Sequence, residues 1–367
     1  MEKIKLNIKP DPDFRRITLL FKDKNYIDRV PFYELFADLE IEHEVLMRLD
    51  KLEEDEKDFK KGKLFYRSLK DIKKHIKYQY YLGYDYINVS SSNFYKFPRI
   101  EWTESQRKEG SRAYVQSSDS IIRNYDDFEN YPWPDMKRVD YSNFEKVQNF
   151  IPEGMKIIGN FSGMLENVMW LLGFEGISFF LYDKPELVKD TFNQVATRII
   201  NYFENLASMD VIGALAMGED MGFKTGTMLS PDIYRELVFP WHKKLVETVH
   251  LYGKPIILHS CGNLFEIMED IISCGWDGKH SFEDNIKPIW EVKKEYGDRI
   301  TLLGGFDMDK LCRMNKDEVI SHTKFLIKKC SKNGGWALGT GNSVASYINI
   351  DNFFTMLEQG YNYNFNI

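Results

Sequence analysis

The sequence predicts a (β/α)8 barrel, and two observations favour this fold class. Short apolar runs alternate with helical patterns along the 367 residues, and the first run is not followed by a glycine-rich phosphate turn. Alternating strands and helices imply parallel βαβ units. An open doubly wound sheet usually carries a glycine-rich turn after its first strand, so its absence from the sequence favours the closed barrel.

Eight runs are predicted to be strands. In chain order they are Val30–Leu35, Tyr86–Ser90, Lys156–Phe161, Val211–Met217, Pro255–His259, Asp277–Phe282, Ile300–Gly304 and Trp336–Gly339. Helices are predicted between them: one begins after a Ser230 cap with Pro231 in its first turn and stops at Gly253, and another begins at Asp183 and Pro185. Residues before Arg29 form an N-terminal extension, and residues 1–367 are predicted to form one domain.

The segment 91–152, after the second predicted strand, is far longer than an ordinary βα loop. It is rich in aromatic residues and proline, as in "NFYKFPRIEW" and "ENYPWPDMKRVDYSNF". In a barrel it would lie over the C-terminal face, where a lid that closes over the substrate belongs. The alternative is a loop whose aromatic residues only attach it to the surface.

Composition and charge restrict the possible partners. The net charge is -7 and lysines are interspersed with acidic residues, which argues against nucleic-acid binding and favours a small-molecule substrate. The sequence shows neither a signal peptide nor a membrane-spanning segment. The four cysteines have no disulfide-framework or Cys-x-x-Cys spacing, so we expect a reducing, cytoplasmic location.

Candidate functional residues follow the C-terminal ends of the predicted strands, where barrel enzymes place their catalytic groups. We expect catalytic roles for Glu219, Asp220 and His280. The residues expected to bind substrate are Tyr33, Glu34, Asn160, Asp307, Asn342 and Ser343. The glycines of "MGFKTG", after Glu219 and Asp220, suggest close approach of the backbone to a ligand.

A metal site is predicted at "ILHSCGN". His259 and Cys261 are two of the ligand types that zinc accepts, and Glu219 is a candidate third ligand. The alternative is that this histidine and cysteine are a buried core pair without metal. The remaining histidines fall in predicted helices and are interpreted as surface or packing residues: His43, His75, His242, His250 and His322.

Several separated motifs together resemble the uroporphyrinogen decarboxylase superfamily. They are "ENYPWPD", "ILHSCGN", "GWDGKHSFED", "YGDRITLLGGFDMDKL" and "GGWALGTGNSV", in this order. The resemblance runs from about Val30 to Leu357 and implies a (β/α)8 barrel with a pocket at its C-terminal face. The superfamily includes cofactor-free decarboxylases and methyltransferases in which a His-x-Cys pair and a later cysteine hold zinc.

The sequence resembles the methyltransferase branch more closely. It lacks the Arg-Gln-Ala-Gly-Arg-Tyr segment of the decarboxylases near its first strand, whereas His259 and Cys261 match the His-x-Cys pair. It departs from that branch where the third cysteine would fall, among Thr340 to Asn342. For that position a carboxylate such as Glu219, or His280, is the candidate replacement.

The resemblance therefore implies a corrinoid-dependent methyltransferase, with zinc and with a corrinoid carried by a partner protein. It would move a methyl group between that corrinoid and a small acceptor such as a thiol or tetrahydrofolate. Two alternatives remain open at this point. One is a tetrapyrrole decarboxylase that uses Asp220 or Glu219, and the other is a non-catalytic accessory barrel.

Overall fold

A curled sheet of parallel strands forms the centre of the molecule. The computed structural model describes residues 3–24, 28–57, 69–91, 94–95 and 120–363. The strands are β1 (Tyr86–Ser90), β2 (Lys156–Ser162), β3 (Ile212–Gly218), β4 (Gly222–Phe223), β5 (Gly226–Thr227), β6 (Ile256–His259), β7 (Gly278–His280), β8 (Thr301–Leu303) and β9 (Trp336–Ala337). Seven of them form one sheet in the order β1-β2-β3-β6-β7-β8-β9, while β4 and β5 form a separate antiparallel hairpin.

Helices connect and cover these strands. The first half contains α1 (Arg15–Lys22), α2 (Leu39–Arg48), α3 (Leu69–Tyr81), α4 (Tyr125–Asn130), α5 (Ser142–Gln148), α6 (Met164–Leu172), α7 (Phe174–Asp183) and α8 (Pro185–Ala207). The second half contains α9 (Pro231–Ile233), α10 (Phe239–His250), α11 (Met268–Ser273), α12 (Ile289–Tyr296), α13 (Met308–Arg313), α14 (Lys316–Cys330) and α15 (Ile350–Tyr361). Because consecutive strands of the large sheet are parallel neighbours, their C-terminal ends lie along one edge.

The predicted first strand, Val30–Leu35, is not a regular strand. Phe32 forms only an isolated parallel bridge with Leu338, next to the end of β9. Toward β1, the segment is held by a side chain and not by backbone-to-backbone hydrogen bonds. The Nδ2 of Asn88, in β1, donates to Glu34 O at 2.8 Å and to Leu35 O at 2.9 Å. The described sheet therefore has seven strands, and this segment lies beside both of its edges.

The predicted insertion lies partly outside the described residues, since 92–93 and 96–119 are not among them. The described part packs on the end of β2. Phe94 stacks on Phe161 with ring centroids 4.5 Å apart, and Tyr141 stacks on Tyr202 at 5.6 Å. Tyr202 in turn contacts Phe161 at 4.7 Å. These stacked rings attach the segment to the edge of the sheet where the strands end.

Within the described residues, no single helix has the length and apolar character needed to cross a membrane. One bent pair, α6 with α7, meets the length and composition criteria together, with an angle of 86° between its two helices. Most of α6 is buried in the molecule.

Candidate active site

The loops that follow β3 and β6 pack directly against each other at the C-terminal edge of the sheet. Gly262 has a φ of +81°, and a Cβ there would lie 2.3 Å from the backbone oxygen of Gly222. The glycine-rich stretch after β3 was expected to allow a ligand to approach. The close approach is instead between two loops, and it brings Asp220 and Cys261 side by side.

Asp220, His259 and Cys261 form a group whose potential ligand atoms all lie within 4.8 Å of one another. The Cys261 sulfur is 3.6 Å from His259 Nε2. Tetrahedral zinc, with bonds of about 2.0 Å to nitrogen and about 2.3 Å to sulfur, requires roughly 3.5 Å between these two atoms. His259 Nε2 and Asp220 Oδ1 are 4.0 Å apart, and the Asp220 side chain is 41% exposed, so it has room to move closer. The donor set and its spacing fit zinc.

The hydrogen bonds behind His259 determine which of its nitrogens can bind a metal. His280 Nε2 lies 3.3 Å from the Thr340 carbonyl oxygen, which can only accept, so this nitrogen carries the proton. His280 Nδ1 then accepts from His259 Nδ1 at 2.8 Å. Consequently His259 Nε2 is left with a lone pair directed toward Cys261 and Asp220. This is the arrangement in which a second histidine orients a metal-binding one.

Burial supports the same proton assignment for His280. Burial, followed by the charge of His259, holds the pKa of the His280 imidazole well below its ordinary value. A neutral ring has one donor and one acceptor. Both are used, by Thr340 and by His259.

Cys261 has a polar environment on two sides. Its backbone N–H donates to Asp220 Oδ1 at 3.0 Å, and Asn342 Nδ2 donates to its sulfur at 3.1 Å. The orientation of the Asn342 amide is fixed because its Oδ1 accepts from the Ser343 N–H at 2.8 Å. Burial and then the Asp220 charge raise the pKa of the Cys261 thiol to about 12, and the Asn342 hydrogen bond opposes this rise.

Glu219 does not match its predicted role as the third metal ligand. Its carboxylate is fully buried and accepts backbone N–H bonds from Met164 at 2.6 Å and Glu166 at 3.0 Å, at the start of α6. A carboxylate at a helix N-terminus satisfies otherwise unpaired N–H groups and interacts favourably with the helix dipole. The carboxylate that lies next to His259 and Cys261 is that of Asp220.

His242 was interpreted from the sequence as a surface or packing residue, but it is buried beside the site. Its Nε2 lies 3.3 Å from Glu219 Oε2, and its ring contacts Trp276 edge-on with centroids 5.4 Å apart. No sequence pattern indicates this contact, since His242 lies on α10, 23 positions after Glu219. The four other helical histidines are not part of this contact network: His43, His75, His250 and His322.

Lys279 is a buried cation beneath the Cys261 loop that was also missed. Its ammonium donates to Ser281 O at 2.9 Å and to Ser260 O at 3.3 Å, and lies 4.4 Å from the centre of the Phe282 ring. Burial lowers the pKa of this ammonium to about 8, against the opposing effect of nearby acidic groups. Lys279 thus ties the ends of β6 and β7 together. The sequence signal for it was a lysine in the middle of a predicted strand, Asp277–Phe282.

Tyr33 and Glu34 lie behind the histidine pair. The Tyr33 ring contacts His280 with centroids 5.3 Å apart, and burial raises the pKa of its phenol above the ordinary value. Glu34 Oε1 accepts from the Thr340 N–H at 2.7 Å, and its Oε2 hydrogen-bonds the Thr340 hydroxyl. Both side chains are buried, so they support the site from within.

Asn160 and Asp307 lie at strand ends but serve the protein itself. Asn160 Nδ2 donates to Asn88 Oδ1 at 3.3 Å. Asp307 caps α13, because its Oδ1 accepts from Lys310 N and its Oδ2 from Asp284 N, each at 3.1 Å. With both oxygens occupied by backbone groups, Asp307 has a structural explanation that does not require a substrate.

Comparisons with known proteins agree with the fold. A family model described as uroporphyrinogen decarboxylase (URO-D) matches residues 112–363. A solved structure titled "methyltransferase from Methanosarcina mazei" superposes with a TM-score of 0.70 at 15% identity, covering 95% of this chain and 98% of that one. At this identity the likeness concerns the fold alone.

Two curated relatives match part of the chain. The "Methylated-thiol--coenzyme M methyltransferase" of Methanosarcina mazei is 26% identical over 129 residues, which cover 35% of this chain and 32% of the relative. The "Methylcobamide:CoM methyltransferase MtaA" of Methanosarcina barkeri is 27% identical over 162 residues, which cover 44% of each. This chain therefore matches less than half the length of either relative.

Proposed function

The chain belongs to the uroporphyrinogen decarboxylase family, and on this basis we propose that it is a methyltransferase that moves a methyl group between a corrinoid and a small acceptor. The observation that carries the proposal is the group formed by Asp220, His259 and Cys261 at the C-terminal edge of the sheet. The printed names of the relatives, which include methylcobamide and coenzyme M, support a corrinoid carried by a partner protein and a thiol acceptor. Tetrahydrofolate is the alternative acceptor in this proposal.

Zinc is the proposed resident metal, held by Asp220, His259 and Cys261. When bound there, it would supply the coordination that makes a thiol anionic at neutral pH, the form that reacts with a methyl group. Asp220 takes the place of a third cysteine, which the chain lacks near Asn342.

The surrounding side chains have positioning roles in this proposal. His280 keeps the Nε2 lone pair of His259 directed at the metal position. Asn342 donates to the Cys261 sulfur and favours its anionic form. Glu219 anchors the end of β3 to α6 and so fixes the backbone from which Asp220 extends.

We also propose that residues 1–367 form one domain in which the segment Val30–Leu35 closes the barrel between β9 and β1. Its bridge to Leu338 and the Asn88 hydrogen bonds support this closure. The described part of the insertion 91–152 would cover the mouth, since Phe94 packs on Phe161 at the end of β2 and Tyr141 packs on Tyr202.

The decarboxylase alternative has no comparable support. A polycarboxylate substrate requires arginines in the pocket. The two arginines that are buried in the described part of the chain, Arg16 and Arg29, both bind Asp85. Asp85 immediately precedes β1, so these arginines lie at the opposite end of the sheet from the candidate site.

The test is zinc content measured together with methyl transfer from methylcobalamin to coenzyme M, other thiols and tetrahydrofolate. We expect about one zinc per chain in wild-type protein, and loss of both zinc and transfer in His259→Ala and Cys261→Ala. Cys274→Ala is the control, because its buried sulfur contacts Phe239 O at 3.7 Å, away from the site. Wild-type protein with neither metal nor transfer would contradict the proposal.

A further inference from the structure

The Thr340 hydroxyl lies between two oxygen atoms, each of which is within hydrogen-bonding distance of it. It is hydrogen-bonded to Glu34 Oε2 and to the backbone carbonyl oxygen of Asn342. A hydroxyl has one proton to donate, and a carbonyl oxygen can only accept. If Glu34 were a carboxylate, one of the two contacts would therefore join two oxygens with no hydrogen between them.

A protonated Glu34 resolves this conflict. Its O–H donates to Thr340 Oγ1, whose own proton is then free for the Asn342 carbonyl. The other carboxyl oxygen accepts the Thr340 backbone N–H at 2.7 Å. All three contacts are satisfied only in this state.

The surroundings of Glu34 favour the neutral acid. Its side chain is 2% exposed, and burial raises its pKa to about 8 despite the opposing Thr340 hydrogen bonds. The titratable side chains that sense the charge of Glu34 are phenols, and the charge would raise the pKa of each: Tyr33, Tyr78, Tyr84 and Tyr86. His280 reaches it only through Thr340 and is held neutral by burial.

We propose that Glu34 is a positioning residue, held as a neutral carboxylic acid that donates a hydrogen bond to Thr340. This hydrogen bond fixes the turn formed by residues 340–342, which supports both His259 and Cys261. The turn supports the site through two hydrogen bonds. The Thr340 carbonyl accepts from His280, which orients His259, and the Asn342 amide donates to the Cys261 sulfur. The role of this turn in metal binding rests on the proposed function, whereas the protonation state of Glu34 does not.

Ionisation of Glu34 would disrupt this support. The Thr340 proton would turn to the carboxylate, and the partly buried Asn342 carbonyl oxygen would lose its donor, which weakens the contact that holds Asn342 in place. Zinc affinity normally rises with pH because ligands must be deprotonated. Ionisation of Glu34 above about pH 8 would disturb the turn and lower the zinc affinity, which opposes this rise.

The first measurement is infrared spectroscopy of the metal-free protein, which detects the C=O stretch of a protonated carboxylic acid. The difference between wild type and Glu34→Gln should contain this band at about pH 7, where an ordinary glutamate with a pKa of about 4.3 is ionised. The band should disappear as the pH rises past about 8. Thr340→Val removes the acceptor of the Glu34 proton and should shift the band, while Thr340→Ser keeps the hydroxyl and should not. A wild-type protein without the band at about pH 7 overturns the proposal.

The second measurement is zinc affinity by chelator competition, expressed as the ratio of wild type to Glu34→Gln between about pH 6 and about pH 10. A glutamine donates and accepts like the neutral acid, so the ratio should be near unity at the acidic end. It should fall roughly ten-fold at the alkaline end, the size typical of losing a supporting contact. A purely structural role for Glu34 predicts a ratio that does not change with pH, and that result overturns the proposal.

Glu56→Gln is the matched control, because Glu56 is equally buried but pairs with Lys77 at 2.8 Å, away from the turn. The ratio of the zinc affinity of wild type to that of Glu56→Gln should stay constant over the same pH range. Failure of the proposed function gives a distinct result: wild type binds no zinc at any pH, while the infrared band still decides the state of Glu34.

Discussion

Glu219 and Asp220 are neighbours in the sequence, but their carboxylates face different partners. Glu219 is fully buried against the first N–H groups of α6 and against His242. Asp220 remains 41% exposed and accepts from the Cys261 N–H. One residue therefore holds the site together and the other is available to bind within it.

Replacing these two carboxylates by amides should separate stability from metal binding. Asp220→Asn removes a charged ligand and should weaken zinc binding on the order of 100-fold, with little change in the free energy of unfolding. Glu219→Gln leaves a buried N–H facing an amide NH2 group and should lower the free energy of unfolding by about 2 kcal/mol. Zinc titration and urea denaturation measure the two effects, and the reverse pattern would assign the ligand to Glu219.

Gly163→Ala should distort the anchor of Glu219. A Cβ at Gly163, the residue before α6, would lie 2.4 Å from the Glu219 carboxyl atoms. Because both groups are buried, we expect a loss of about 1–3 kcal/mol in the free energy of unfolding, typical of overpacking. Gly226→Ala is the control, since a Cβ there meets nothing within 4 Å, and an equal loss in both variants would argue against this clash.

Asn342→Leu should make the Cys261 thiol less reactive in metal-free protein. The amide hydrogen bond lowers the pKa of a thiol that burial raises to about 12. Without it, the thiolate fraction and the rate of alkylation by iodoacetamide should fall roughly ten-fold, as for loss of a hydrogen bond to a charged group. Peptide mapping also reports on Cys312, which is partly exposed and serves as an internal reference. Equal changes at both cysteines would indicate general opening of the protein.

His250 should give the protein a pH-dependent stability unrelated to the site. Its Nε2 lies 2.8 Å from Asp277 Oδ2, and this hydrogen bond raises the pKa of the imidazole. The imidazolium therefore stabilises the folded state fully below the unfolded pKa of about 6.5, and this contribution is lost as the pH rises through the folded value.

Melting temperatures of wild type and His250→Gln, measured across that range, test this sign. The wild-type advantage should be largest at acidic pH and should shrink toward alkaline pH. The difference should be small because the pair is partly exposed. An advantage that grows with pH would contradict the assignment.

Much of the sheet could be predicted because each strand is specified locally. The predicted strand Tyr86–Ser90 has these bounds in the structure, and Pro255–His259 differs from β6 only at its first residue. Buried parallel strands are continuous apolar runs, which a sequence displays directly. The segment Val30–Leu35 looked similar, but its neighbour β1 binds it through the Asn88 side chain instead of a ladder.

The order of the strands and the ends at which polar residues collect can be predicted from local sequence patterns. These patterns alone place His259, Cys261 and Asp220 at one edge of a sheet. Which of the two adjacent carboxylates faces that group depends on packing between elements, because the first N–H groups of α6 bind Glu219 and leave Asp220 beside His259 and Cys261. The same packing places His242, from α10, against Glu219. Hydrogen-bond partners depend on positions fixed by packing between elements, and no local pattern encodes them.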